Sequence, residues 1–124
     1  MHALIAALAL CSALAQPPTG RTVTFALPHA LRGGETAFLE VSVGVIPRGA
    51  EIEITTTSGH PLGTISPYGI RPGREAGTYT VPLPPQAISG RRVSVLLSLD
   101  FAGKQRAPTK KEVKKVRVTI SPGK

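Results

Sequence analysis

The sequence predicts an all-β fold, an antiparallel β-sandwich of six to seven strands behind a cleaved N-terminal signal peptide. Three observations predict it. Apolar and polar residues alternate along six segments of the chain, which places one face of each in a core and the other in water. Clusters of Gly, Pro and Ser separate these segments at short intervals. Beyond the N-terminal apolar run, no stretch longer than two turns carries helical spacing.

The signal peptide is read from residues 1–15. Ala3–Leu10 is uninterrupted and apolar, and Ala13-Leu14-Ala15 ends it with an A-x-A site ahead of Gln16-Pro17-Pro18. The run is shorter than the roughly 20 residues a membrane-spanning helix needs. Leu8-Ala9-Leu10-Cys11 has the outline of a lipobox, but Leu10 stands where a small residue is usual, so simple cleavage after Ala15 is preferred to lipid anchoring at Cys11. Residues 16–20 are then a short linker and residues 21–121 the domain. Cys11 is the only cysteine, so the mature domain has no disulfide, thiolate metal site or cysteine nucleophile. About 109 residues are enough for an independent core. The expected destination is the periplasm or the exterior of a bacterial cell.

Six strands follow in order. Arg21–Leu27 aligns Val23, Phe25 and Leu27. Thr36–Ile46 alternates Leu39, Val41, Val43 and Val45 with Phe38, Glu40, Ser42 and Gly44. Glu51–Thr57 turns Ile52 and Ile54 inward. Thr78–Leu83 aligns Tyr79, Val81 and Leu83, and Pro82 within it points to an edge strand or a bulge. Arg91–Phe101 aligns Val93, Val95, Leu97, Leu99 and Phe101. Val113–Ile120 aligns Val116, Val118 and Ile120. A short seventh strand is expected near Leu62–Ser66. Strands of this number and spacing read as a sandwich.

Glu75-Ala76-Gly77-Thr78-Tyr79-Thr80-Val81 resembles the acidic-x-Gly-x-Tyr pattern near a late strand of immunoglobulin-like domains. With Ile52–Gly59 and Gly63 ahead of it, the region is similar to immunoglobulin-like and fibronectin-type-III-like modules of bacterial exported proteins, over some thirty residues. The resemblance implies an immunoglobulin-like sandwich and says nothing about activity. Val81 stands in place of the disulfide cysteine, and the chain has no tryptophan.

The candidate chemistry is thin. The mature chain offers two histidines, His29 and His60, and one aspartate, Asp100. No G-x-S-x-G surrounds a serine. Glu51 and Glu53 share the solvent face of one strand, where carboxylates are ordinarily just hydrated. His29, His60 and a glutamate make a weak metal set. Gly33-Gly34 and Gly69–Gly73 lack the Lys and the following helix of a nucleotide loop. The expectation is a protein that is not an enzyme and needs no cofactor.

Charge is more specific. Fifteen Lys and Arg against seven acids give +8, which favours anionic partners. Eight of the fifteen cations fall in the last 21 residues. If the last two long strands form a hairpin, Ala102–Lys111 is its loop. The candidate ligand residues are Lys104, Arg106, Lys110, Lys111, Lys114, Lys115 and Arg117. They suit an anionic polysaccharide, a lipopolysaccharide or an acidic protein. Nucleic acid is disfavoured, because stacking aromatics are missing and Phe101 is assigned inward. Lysines on a terminal edge strand also serve to prevent strand-to-strand aggregation. Tyr68, in Ser66-Pro67-Tyr68-Gly69-Ile70, is expected to fold back over the end of the sandwich. Tyr79 is expected in the core with its hydroxyl bonded near a strand end. The reading is therefore an exported binding module with a basic C-terminal face. Its alternative is a structural or assembly subunit of the cell envelope that pairs through strand edges.

Overall fold

A computed structural model describes residues 20–71 and 73–122. The expected signal peptide, Cys11 and nearly all of the linker lie outside the described residues. Among these, nine strands form two antiparallel sheets. They are β1 (Arg21–Ala26), β2 (Thr36–Val43), β3 (Glu51–Thr56), β4 (Pro61–Ile65), β5 (Gly77–Leu83), β6 (Ile88–Ser89), β7 (Arg92–Phe101), β8 (Lys104–Arg106) and β9 (Val113–Ser121).

The larger sheet runs β1-β7-β3-β4, with β7 at its centre. Val93 pairs with both Phe25 of β1 and Ile88 of β6, so β6 extends the β3 side. Leu99 pairs with both Ile52 of β3 and Arg106 of β8, so β8 extends the β1 side. The smaller sheet runs β5-β2-β9. Pro82, which has no N–H to donate, thus lies on an edge strand, as its residue type requires. The constant-type immunoglobulin order sets its first two strands side by side in one sheet, whereas here β1 and β2 lie in different sheets. The two-sheet antiparallel architecture is common ground with such modules.

Alternation builds the core. Leu39, Val41 and Val43 from β2 meet Ile52 and Ile54 from β3 and Val93, Val95, Leu97 and Leu99 from β7, with Val81 and Leu83 from β5 closing the side. Each such side chain taken from water contributes about 1.5–3 kcal/mol. Tyr79 is half-buried, and its hydroxyl donates to the Ala76 carbonyl at 3.2 Å, beside the start of β5.

Five expectations are corrected. Among the described residues nine strands form where six to seven were expected, because β6 and β8, of two and three residues, are too short to show alternation. Val45 is exposed, because β2 stops at Val43 after a register shift between Ser42 and Val43. Phe101 is 42% exposed, because it closes the β7–β8 turn at the end of the sheet, past the last core layer. Tyr68 is 81% exposed and does not fold back. The last two long strands form no hairpin. β7 and β9 lie in different sheets, and β7 turns straight into β8 through Ala102 (φ 54°) and Gly103 (φ 78°). Two positive φ values between paired Phe101 and Lys104 are the two-residue turn that matches strand twist. Residues 107–112 then carry the chain across to the smaller sheet.

Candidate functional site

The strand register gathers three connections at one end of the sandwich. Glu51 lies opposite Asp100, Ile52 opposite Ile65, and Val43 opposite both Gly77 and Val113. The connections 44–50, 66–76 and 101–112 therefore share this end. Together they carry seven cations and two acids, whereas the connections 27–35, 57–60 and 84–91 at the other end carry two cations and one acid.

The crossover is held by Glu112. Its carboxylate accepts a forked pair from Arg106, Nη1 to Oε1 and Nη2 to Oε2, both at 2.7 Å. Oε1 also accepts the Thr109 amide at 2.8 Å, and the Glu112 amide donates back to Thr109 Oγ1 at 3.2 Å. This reciprocal T-x-x-E exchange is a capping box, closed here over a single turn by Val113 N–H to the Thr109 carbonyl. Glu112 is buried at 8% exposure. The Arg106 guanidinium beside it holds its carboxyl down at about 2, aided by the Thr109 donors against the opposing effect of burial. Lys110 and Lys111, the two middle residues of the box, are left exposed at its tip.

Gly44 connects this turn to the neighbouring loop. Its amide donates to the Glu112 carbonyl at 2.8 Å, and its carbonyl accepts the Ala76 amide at 3.1 Å. A Cβ at Gly44 would lie 2.1 Å from the Lys111 carbonyl oxygen, so the close approach needs glycine.

Beside Ala76 opens a cleft of about 580 Å3. Its walls include Ile46, Arg48, Tyr68, Ile70, Arg71 and Arg74. Glu75 follows Arg74 in sequence but pairs with Lys114. The side chains of Arg48, Arg71 and Arg74 have no ion pair among the described residues.

The seven sequence-derived candidates divide accordingly. Lys104, Arg106, Lys110 and Lys111 lie at the basic end. Arg106 is committed to Glu112 and Lys114 to Glu75. Lys115 and Arg117 stand apart on the outer face of β9, where Arg117 Nε donates to Glu40 Oε1 at 2.6 Å. A small hollow between them is bordered by Glu40, Ser42 and Thr78. The candidates do not form the one continuous stripe expected, because the β8 turn and the crossover send the two groups to different sheets. Sequence reasoning missed Arg48, Arg71 and Arg74. Their only signal was arginine placed within turn sequences, Pro47-Arg48-Gly49 and Arg71-Pro72-Gly73-Arg74, which read simply as connections.

The other end holds a larger hollow of about 950 Å3, bordered by hydroxyls of Thr56, Ser58 and Ser94 with His60 and Arg92. His60 Nδ1 lies 3.3 Å from Ser58 Oγ, and no carboxylate borders the hollow. His29 Nδ1 is 2.8 Å from the Ala30 carbonyl. Among the described residues no three His, Cys, Asp or Glu are grouped to hold a metal, and no helix is long and apolar enough to cross a membrane. The Ser66 hydroxyl donates to Glu51 at 2.6 Å. No protein-family model matches the chain, and neither a curated protein nor a solved structure matches it.

Proposed function

We propose that the chain is a non-enzymatic, exported binding module whose basic end engages an anionic partner. The observation that carries this reading is the convergence of Arg48, Arg71, Arg74, Lys104, Lys110 and Lys111 from three separate connections. None of them forms an ion pair among the described residues. Clustered like charges repel one another and destabilise the compact state, so their retention at one end fits a surface completed by an anion. Export rests on the sequence of residues 1–15 alone.

Strand-edge assembly fits less well. Edge strand β9 carries Lys114, Lys115 and Arg117, edge strand β5 carries Pro82, and β4 is short and begins at Pro61. Charge, proline and shortness are the features that keep edges from pairing.

Binding of the purified protein to lipopolysaccharide, an acidic polysaccharide, an acidic protein and DNA, each across a salt series, tests the proposal. Affinity for at least one anion that falls as salt rises is expected. Flat, weak binding to all of them contradicts it.

A further inference from the structure

We infer that the cleft bordered by Arg48, Tyr68, Ile70, Arg71 and Arg74 is a subsite for an acidic sugar, a pyranose ring bearing a carboxylate or sulfate. The inference rests on the anionic-partner reading and names the chemistry recognised at its most structured part.

Three features of the cleft select this chemistry. The first is the cation type. The cleft is bordered by Arg48, Arg71 and Arg74 and by no lysine. A guanidinium is a planar fork that grips carboxylate or sulfate through two parallel bonds, whereas the lysines of the crossover act as point charges. The nearest carboxylate in sequence, Glu75, is drawn off to Lys114 on β9, so Arg74 keeps its donors for a ligand.

The second feature is the apolar side. Tyr68 is 81% exposed and Ile70 38% exposed, and both border the cleft. A tyrosine ring offers a face to the C–H side of a sugar ring and a hydroxyl to its oxygens.

The third is size and number. About 580 Å3 falls within the range of roughly 300–1,000 Å3 found for small-ligand clefts. One exposed aromatic serves one ring. A tract of single-stranded nucleic acid would draw on successive stacking partners along a basic groove, and Phe101 lies on the β7–β8 turn outside this cleft. An extended acidic peptide would use the arginines but gain little from Tyr68.

Calorimetric titration of the purified protein with an oligogalacturonate, a neutral oligosaccharide of equal length and a poly-glutamate of equal charge separates these cases. Two variants accompany it. Tyr68→Ala removes the ring, and the triple change Arg48→Lys, Arg71→Lys, Arg74→Lys keeps the charge but removes the forks. Circular dichroism confirms that both remain folded. The expected result is oligogalacturonate binding at least tenfold tighter than poly-glutamate, weakened about tenfold by either variant, with poly-glutamate affinity unchanged by Tyr68→Ala. Equal affinities for the two anions, indifferent to both variants, overturn the acidic-sugar subsite and leave a charge-only surface open to acidic peptides. Binding of neither anion above the neutral control overturns this inference, and the anionic-partner reading falls with it only when the four-partner salt series is flat as well.

Discussion

Arg106 and Glu112 form a forked ion pair, two bonds of 2.7 Å, that fixes the only connection from β8 to β9. The pair joins the edge of one sheet to the start of the other sheet's edge strand. It also anchors the turn that carries the exposed Lys110 and Lys111. Structure and candidate function therefore meet in one carboxylate.

Acid should loosen this connection. Folding lowers the Glu112 carboxyl from an ordinary 4.5 to about 2. A carboxyl depressed by folding stabilises fully above its unfolded value and loses that contribution as pH falls through the folded value. The window is therefore pH 4.5 down to 2. A shift of this size corresponds to at most about 3.5 kcal/mol, and solvent around the half-exposed Arg106 reduces it to about 1–2 kcal/mol. Thermal melts of the protein and of Glu112→Gln at pH 7, 4.5, 3 and 2 check this. The difference between the two should be largest at pH 7 and shrink across the window. A difference independent of pH would place the stabilisation elsewhere.

Gly44→Ala should destabilise the domain by about 1–3 kcal/mol, the usual cost of forcing atoms into a packed site. The new methyl group meets the Lys111 backbone, which is fixed by the capping box and can yield only if the crossover shifts. Gly33→Ala is the control, since nothing lies within 4 Å of a Cβ there. Denaturant unfolding of both variants measures the contrast, and equal midpoints would refute the close approach.

Ala102 is a non-glycine residue at φ 54°, in the first position of the β7–β8 turn. The left-handed conformation costs an ordinary L-residue roughly 1–2 kcal/mol, and Asn-Gly is the preferred pair for such a turn. Ala102→Asn should therefore raise the melting temperature by several degrees. A lower melting temperature would mean that the turn is of another kind.

Leu97→Ala should cost about 2–5 kcal/mol, as for other fully buried leucines, because it lies at the centre of the β7 core row. Phe101→Ser, four residues on along the same alternation, should stay within about 0.5 kcal/mol. Chemical denaturation of the two variants tests whether the row ends at Leu99.

The contrast between Leu97 and Phe101 marks what the sequence can reveal. Alternation is a local property, so all six long strands and the short one at Pro61–Ile65 could be read directly from residue type. Pro82 announced its edge strand for an equally local reason. Partner choice is not local. Nothing in Arg92–Phe101 or Val113–Ser121 says that they belong to different sheets, and the crossover between them depends on a glycine at position 44 and a capping box at 109–112. The Thr109-Lys110-Lys111-Glu112 box is visible in the sequence, but without its turn it looks the same as any acid after a run of lysines. Periodicity likewise does not say where a core row stops, so it places Phe101 and Val45 inward with the rest of their rows. The basic site was legible only in part. Lysines crowd the end of the chain and draw the eye there, whereas Arg48 and the Arg71/Arg74 pair are some twenty residues apart in sequence and meet only through the β2–β3 and β4–β5 connections.

The most direct test compares two sets of cations in one salt-dependence experiment, using the anionic polymer that the purified protein binds best. One variant replaces Arg48, Arg71, Arg74, Lys110 and Lys111 with Ala, and the other replaces Lys115 and Arg117 with Ala. The slope of log affinity against log salt counts the charges neutralised on binding. The account predicts that the first variant loses most of that slope and most of its affinity at low salt, while the second changes little. The reverse pattern would place the contact on the outer face of β9 and contradict the basic-end site.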